Sequence, residues 1–197
     1  WFRHSPQDTN PHGYPRYCGD NGMTDAPKFL ADSLDIESSQ QITELSREVD
    51  TWAARSHQGA QFTANYLIIT APAPQALSLL DTTGLKYAGD DEARLRAIRY
   101  AKGLTTLAIL DGPSALPEKG FIQLFQSPLA SITDNRIKQI SPEVHAVTIQ
   151  ADAEFAEEHW DSPDEIRGPL LLEAAAPWLS SRVVEYNCHR WGFTTPL

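Results

Sequence analysis

The 197-residue chain has no glycine-rich phosphate loop, because none of its 11 glycines forms a Gly-x-Gly-x-x-Gly pattern. Such a loop, between a buried strand and a helix N-terminus, holds the pyrophosphate of a dinucleotide in the common nucleotide-binding sheets. Gly19 and Gly22 do not make that pattern. The elements present in this chain are therefore not expected to hold the phosphates of a dinucleotide.

Signals of hydrolytic and zinc chemistry are also missing. No Gly-x-Ser-x-Gly sequence marks a serine nucleophile, and the six histidines show neither His-x-x-x-His spacing nor a zinc-like pairing with cysteine. The two cysteines, Cys18 and Cys188, are far apart in sequence. We predict two reduced thiols in a reducing compartment, and a disulfide between them stays open.

Positive charge and long apolar runs are scarce. With 16 Lys and Arg against 26 Asp and Glu, the formal net charge is -10, which argues against nucleic acid or an anionic membrane as a partner. No apolar run approaches the ~20 residues that span a bilayer. No signal peptide is recognisable, and we predict a cytoplasmic protein. Because the first residue is Trp1 and not Met, we expect that something upstream has been removed.

The most informative segment that is present is residues 66–80, YLIITAPAPQALSLL. An apolar run without alternation predicts a strand covered on both faces, here followed by a proline-marked turn and a helix. Full burial of Leu67, Ile68 and Ile69 would stabilise the fold by roughly 1.5–3 kcal/mol each. We therefore expect residues 66–70 to form a buried strand.

The rest of the chain predicts a mixed first half and an antiparallel second half. In the first half, we expect a helix after Thr24 with an apolar face, an extended segment with Ile42 and Leu45 inward, a hairpin around residues 56–59, and helices at 75–80 and 90–98. In the second half, we expect strands at 104–110, 120–126, 129–133, 144–149 and 183–191. We expect helices at 153–160 and 164–172, with an extension of the second helix as far as Ala176, before Pro177.

Five segments in sequence order carry a resemblance to one family: residues 15–31 (PRYCGDNGMTDAPKFLA), 36–45, 66–74 (YLIITAPAP), 128–135 (PLASITDN) and 189–196 (HRWGFTTP). Together they resemble the landmarks of renalase-like FAD-dependent amine oxidases, a group of NAD(P)-FAD-dependent oxidoreductases. The likeness runs from about residue 16 to the end. Ser131 departs from the family pattern, which has an aromatic there, and Cys18 stands where Val is common.

The resemblance implies an α/β fold. An incomplete FAD-binding portion, residues 1–72, would lead into an α+β substrate-binding domain, residues 73–197, with an antiparallel or mixed sheet and flanking helices. The implied activity is FAD-dependent oxidation of an amine or dihydronicotinamide-type small molecule by hydride transfer to flavin, with O₂ as acceptor. Because the family's glycine loop and closing Gly-Asp segment are missing, we expect the isolated chain to be inactive or poor in FAD.

Two alternatives stay open beside the enzyme. One is a non-enzymatic binding module derived from the same fold, and the other is one chain of a two-chain flavoenzyme. A strand and a glycine loop encoded upstream of Trp1 would favour the enzyme. A buried strand without its neighbours also predicts self-association or a partner chain through the exposed sheet.

The resemblance also implies site residues. Ile42 corresponds to a position that contacts adenine, and Ala71 and Pro72 lie near the ADP ribose. Arg190 and Trp191, together with His189, lie beside the flavin or the substrate cavity. Each has a structural alternative: Ile42 in a core, Pro72 at a helix start, Arg190 in a surface ion pair. No catalytic base and no metal ligand is nominated, because the protein mainly orients donor and flavin in such reactions.

Overall fold

A computed structural model describes Gly19 and residues 21–85 and 89–197. These residues divide into two compact units, one containing Ala101–Thr195 with the described residues up to Ser33, the other containing Leu34–Tyr100 with Pro196 and Leu197. The helices are α1 (Asp25–Ala31), α2 (Ala73–Asp81), α3 (Asp91–Ala97), α4 (Ala153–Glu158) and α5 (Asp164–Leu179). The strands are β1 (Ile42–Glu48), β2 (Thr51–Ser56), β3 (Gln61–Ala64), β4 (Gly103–Leu110), β5 (Phe121–Gln126), β6 (Leu129–Asp134), β7 (His145–Ala151) and β8 (Val183–Trp191).

The larger unit is built on a five-stranded antiparallel sheet in the order β5-β6-β7-β4-β8. Alternate side chains of each strand point to the same face, and on one face they are apolar. That face packs against α4 and α5 around fully buried Ile132 and Ile149, which are directly paired on β6 and β7. The predicted antiparallel sheet with flanking helices is confirmed, and all five of its strands lie where the sequence predicts them.

Helix α5 continues beyond the residue at which the sequence predicts its end. The prediction that it stops before Pro177 is wrong, because the helix contains both Pro169 and Pro177. A proline inside a helix costs about 3 kcal/mol through its missing N–H and a steric clash. Ala175 and Leu179 lie in the core on either side of Pro177, so tertiary burial of the last turn outweighs that cost.

The smaller unit contains a three-stranded antiparallel sheet in the order β1-β2-β3, together with α2 and α3. The predicted hairpin around residues 56–59 is confirmed as the β2–β3 turn. Leu45 is buried, as expected, and its backbone N–H donates to the Thr82 hydroxyl after α2 at 2.9 Å. This bond ties β1 to the end of the helix.

The prediction that residues 66–70 form a buried strand is wrong. Tyr66 is 90% exposed and Ile68 is 87% exposed, and no described strand pairs with this segment. A strand covered on both sides needs hydrogen-bonded neighbours and a layer on each face, and the unit's sheet ends at β3. Helix α1 forms where expected, but its apolar side chains Phe29 and Leu30 are also exposed.

No helix among the described residues has the length and apolar character needed to cross a membrane. The functional division into an FAD-binding portion, residues 1–72, and a substrate-binding domain, residues 73–197, stays a prediction. The thiol of Cys18 lies outside the described residues, whereas Cys188 is a free thiol.

Candidate functional site

Strand β8 carries three of the predicted site residues and separates them onto two faces. Cys188 of β8 is paired with Thr106 of β4. Its side chain faces α5, because a Cβ atom added to Gly168 of that helix would lie only 3.0 Å from the Cys188 sulfur. By alternation along the strand, Arg190 faces the helix side as well. His189 and Trp191 face the opposite side of the sheet, which we call the open face, and their rings meet at 4.3 Å between centroids.

A continuous row of uncharged hydrogen-bonding side chains plus His189 crosses the open face. Each member is directly paired with its neighbour on the next strand, so that the row spans all five strands. We call this set the polar row, and it comprises Gln123, Ser131, Gln150, Thr105 and His189.

Hydrogen bonding within the polar row leaves the amide N–H groups of Gln150 available to a ligand. Ser131, which is buried, donates to the Gln150 side-chain oxygen at 2.9 Å. The Gln150 amide N–H₂ therefore still has two N–H groups to offer, and the residue is exposed. The row can orient a neutral group that both donates and accepts hydrogen bonds.

A depression of about 300 Å³ lies on the same face beside the polar row. Its apolar lining includes Leu107 and Ile109 of β4, and its polar lining includes Asn135 and Asn187. Asn135 is held by a hydrogen bond from its amide to the Thr148 hydroxyl at 2.9 Å. A flat ligand bound by the polar row would have an apolar surface next to it.

Arg190 is held on the helix side by Trp160, in the loop between α4 and α5. Its guanidinium lies 5.5 Å from the centroid of the Trp160 ring and donates to the Trp160 carbonyl at 3.4 Å. Lys102 approaches the same ring at 5.3 Å. No carboxylate among the described residues forms an ion pair with Arg190, so the surface ion pair considered for it stays a prediction.

Arg167, for which the sequence carries no signal, contacts the backbone of Trp160 from the buried side. Its side chain is only 7% exposed, and it donates to the Trp160 carbonyl at 3.1 Å and to Asp164. A buried guanidinium needs such partners because its desolvation is costly. Its Nε is left without a partner. The cluster of Trp160 and its cations therefore positions the end of β8 and holds Arg190 away from the open face.

The three predicted cofactor-binding residues lie in the smaller unit. Ile42 begins β1, is half-buried and pairs with Ser56. Ala71 and Pro72 are half-buried, and Pro72 is the N-cap of α2. The structural alternative of a helix start at Pro72 is thus realised, and the cofactor role of all three residues stays a prediction.

The α2 N-terminus does not fit the pyrophosphate of a dinucleotide. Anion binding at a helix start uses free backbone N–H groups. Pro72 and Pro74 have none, and the Ala73 N–H donates to the Tyr100 hydroxyl at 3.1 Å. Within the part of the chain that the structure describes, no group of three or more His, Cys, Asp or Glu could hold a metal ion.

No protein-family model matches the sequence, and comparison with curated proteins gives no match either. Solved structures do match: wild-type putrescine oxidase bound to putrescine has a TM-score of 0.69 at 12% identity, over 89% of this chain and 41% of that one. A protein described provisionally as a protoporphyrinogen oxidase, from an Exiguobacterium species, gives 0.64 at 16% identity, over 90% and 40%. A CLA-producing fatty acid isomerase from P. acnes gives 0.58 at 13% identity, over 86% and 38%.

These likenesses show the fold alone, and that fold is found in oxidoreductases of the amine oxidase type. The predicted α/β class is confirmed. The chain spans about two fifths of the length of the structures it matches. The narrower resemblance to renalase-like enzymes has no support among them.

Proposed function

We propose that this chain is the substrate-binding part of an FAD-dependent oxidoreductase that oxidises a dihydronicotinamide-type small molecule by hydride transfer to flavin. The observation that carries the proposal is the polar row, on the open face of a sheet whose fold is shared with oxidases. Bound FAD would supply the hydride acceptor. The residues of this chain would bind the donor and fix its orientation.

The chemistry of the polar row favours a carboxamide over an alkylammonium as the group bound. Gln150, Ser131 and Thr105 each combine donors and acceptors, as the nicotinamide carboxamide does. No member of the row is a carboxylate, and the carboxylate of Glu185 lines the neighbouring depression instead. Burying an ammonium group within the row, without an opposite charge, is unfavourable. A dihydronicotinamide therefore fits the row better than an amine does.

The phosphates of FAD do not fit the described residues, since the proline-marked start of α2 has no free cradle of N–H groups. In the complete protein, elements other than those described here would hold the phosphates. The proposed role of the chain is limited to the substrate side.

The 197-residue chain, purified alone and dialysed, is expected to carry no stoichiometric FAD, whereas the protein produced from its complete gene is expected to carry one. The reason is that the start of α2, the candidate helix N-terminus among the described residues, offers no cradle of free backbone N–H groups for the phosphates. Flavin absorption of both preparations measures the difference. Stoichiometric FAD on the chain alone would contradict this account, and a flavin-free complete protein would favour the non-enzymatic binding module.

Replacing Gln150 by Leu is expected to weaken binding of a dihydronicotinamide by about 10-fold. The change removes hydrogen bonds worth about 0.5–1.5 kcal/mol each and keeps the apolar volume. The measurement is the dissociation constant from an NMR titration of the chain, which needs no flavin. Gln126→Leu is the matched control, because Gln126 is exposed on β5 but pairs with Leu129 outside the row. An equal effect of both changes would remove the row from the proposal.

A further inference from the structure

We propose that the depression on the open face binds the oxidised, positively charged form of the nicotinamide ring more tightly than the neutral reduced form, and that the carboxylate of Glu185 causes this preference. The inference rests on the proposed function and deepens it, because it assigns a residue that recognises the charge of the ring. The polar row recognises the carboxamide, which both forms of the ring share.

Glu185 is the source of negative charge at the depression. Among the described residues that line it, no other side chain carries a charge. Glu185 is exposed, and none of the described Lys, Arg or His residues forms an ion pair with it. Its carboxylate is therefore available to a positively charged ligand.

The strand register places Glu185 on the open face, at a fixed distance from the polar row. Side chains alternate along β8, so Glu185 and Asn187 project to the same side as His189. They are paired with Ile109 and Leu107 of β4, and the irregularity in this strand pair begins only after Ile109. At ~3.3 Å per residue, the four residues from His189 to Glu185 correspond to roughly 13 Å between Cα atoms. The residues of the depression lie within this interval.

Hydrogen bonds fix the wall of the depression on the β7 side. The Asn135 carbonyl accepts from the backbone N–H groups of Ile140 and Ser141 at 2.9 and 3.1 Å, and the Asn135 N–H donates to the Ala146 carbonyl at 2.8 Å. The loop after β6 is thereby held against β7, with Asn135 and Ser141 in the lining. Because the wall is already ordered, binding a ring there costs little conformational entropy of the protein.

The floor of the depression suits a flat ring of either charge. Leu107 is 46% exposed and Ile109 is half-buried, both on β4. A ring that covers these side chains removes apolar surface from water, which favours binding whether or not the ring is charged. The floor therefore supplies affinity without distinguishing the two forms.

The charge of the ring distinguishes them. A dihydronicotinamide is neutral, and it gives up a hydride, one proton with two electrons, to the flavin acceptor of the proposed function. The ring that remains carries one positive charge. A carboxylate beside the ring lowers the free energy of the charged form relative to the neutral one. Glu185 therefore favours the ring increasingly as the hydride leaves, which is the kind of interaction that accelerates a reaction.

The chain alone tests the preference without flavin. The probes are the N-methylnicotinamide cation and its neutral dihydro form, and NMR titration gives the dissociation constant of each. The native chain is expected to bind the cation more tightly. Glu185→Gln is expected to weaken binding of the cation by about 5-fold, the size of the effect of one exposed ion pair, and to leave binding of the neutral form unchanged.

Glu154→Gln is the matched control. It removes the same charge from an exposed position on α4, which packs on the other face of the sheet, and it is expected to change neither dissociation constant. Equal weakening of the cation by both variants, or of both ring forms by Glu185→Gln, would overturn the assignment. So would butylammonium that binds as tightly as the ring and depends equally on Glu185, because the depression would then select an aliphatic amine.

The same titrations separate failure of the inference from failure of the proposed function. If both ring forms bind and Gln150→Leu weakens both, while Glu185→Gln weakens neither, the polar row stands and the preference for the cation is wrong. If neither ring form binds to the native chain, the inference and the proposed function are both overturned.

Discussion

Replacing Ile149 by Ala is expected to lower the free energy of unfolding by about 2–5 kcal/mol. Ile149 lies at the centre of the five-stranded sheet, with no exposed surface, between Thr106 and Ile132 on the neighbouring strands. The substitution removes buried methyl and methylene groups and leaves a cavity that α5 cannot fill without moving. Urea unfolding, followed by circular dichroism, measures the loss.

The control for this prediction lies on the adjacent strand but on the other face. Leu107 is 46% exposed, so Leu107→Ala removes side-chain atoms that are already partly in water. Its expected cost is below about 1.5 kcal/mol. Equal losses of unfolding free energy at the two positions would show that packing against the helices does not make one face of the sheet more important for stability than the other.

The sequence predicts the elements of the larger unit well because their signals are local. Strands β4 to β8 are apolar or alternating runs separated by turn residues, and each is completed by neighbours within the unit. Residues 66–70 have an equally strong apolar signal. They fail as a strand because a strand is defined by partners, and no described segment supplies them. An apolar run indicates which residues favour burial. It does not indicate whether neighbouring strands are present to pair with them and cover them.

The candidate site was only partly predictable for a similar reason. His189 and Trp191 are found from one segment, but alternation along β8 places Arg190 on the opposite face. The polar row depends on the register of four strand pairs, and its directly paired members are separated by 8 to 84 residues in the sequence. No single segment of the chain contains a signal for it. Arg167 is equally hidden, because an Arg in a helix is usually at the surface.

Replacing Gly168 by Val is expected to lower the free energy of unfolding by about 1–3 kcal/mol. At Gly168, α5 lies against β8 without room for a side chain, because a Cβ there would lie 2.4 Å from a ring carbon of Tyr186 and 3.0 Å from the sulfur of Cys188. No real Cβ tolerates the shorter distance. The helix must therefore withdraw, or the Tyr186 ring must move.

Leu170→Val is the matched control, since it introduces a β-branched residue into the same helix at a 39% exposed position. A double-mutant cycle identifies the contact. If Tyr186 is the obstacle, Gly168→Val should cost less in a Tyr186→Ala background than in the native one. Additive costs would exclude that contact as the cause.

The same substitution links the helix layer to the candidate site. Tyr186 and Cys188 face α5, and Asn187 and His189, between and beside them, face the other side of the same strand. A displacement of β8 at Gly168 therefore has to move the His189 end of the polar row. The NMR signals of the His189 ring should shift in Gly168→Val and stay in place in Leu170→Val. Unchanged His189 signals in a destabilised Gly168→Val protein would show that the Tyr186 ring alone gives way, and that close packing of α5 does not position the site.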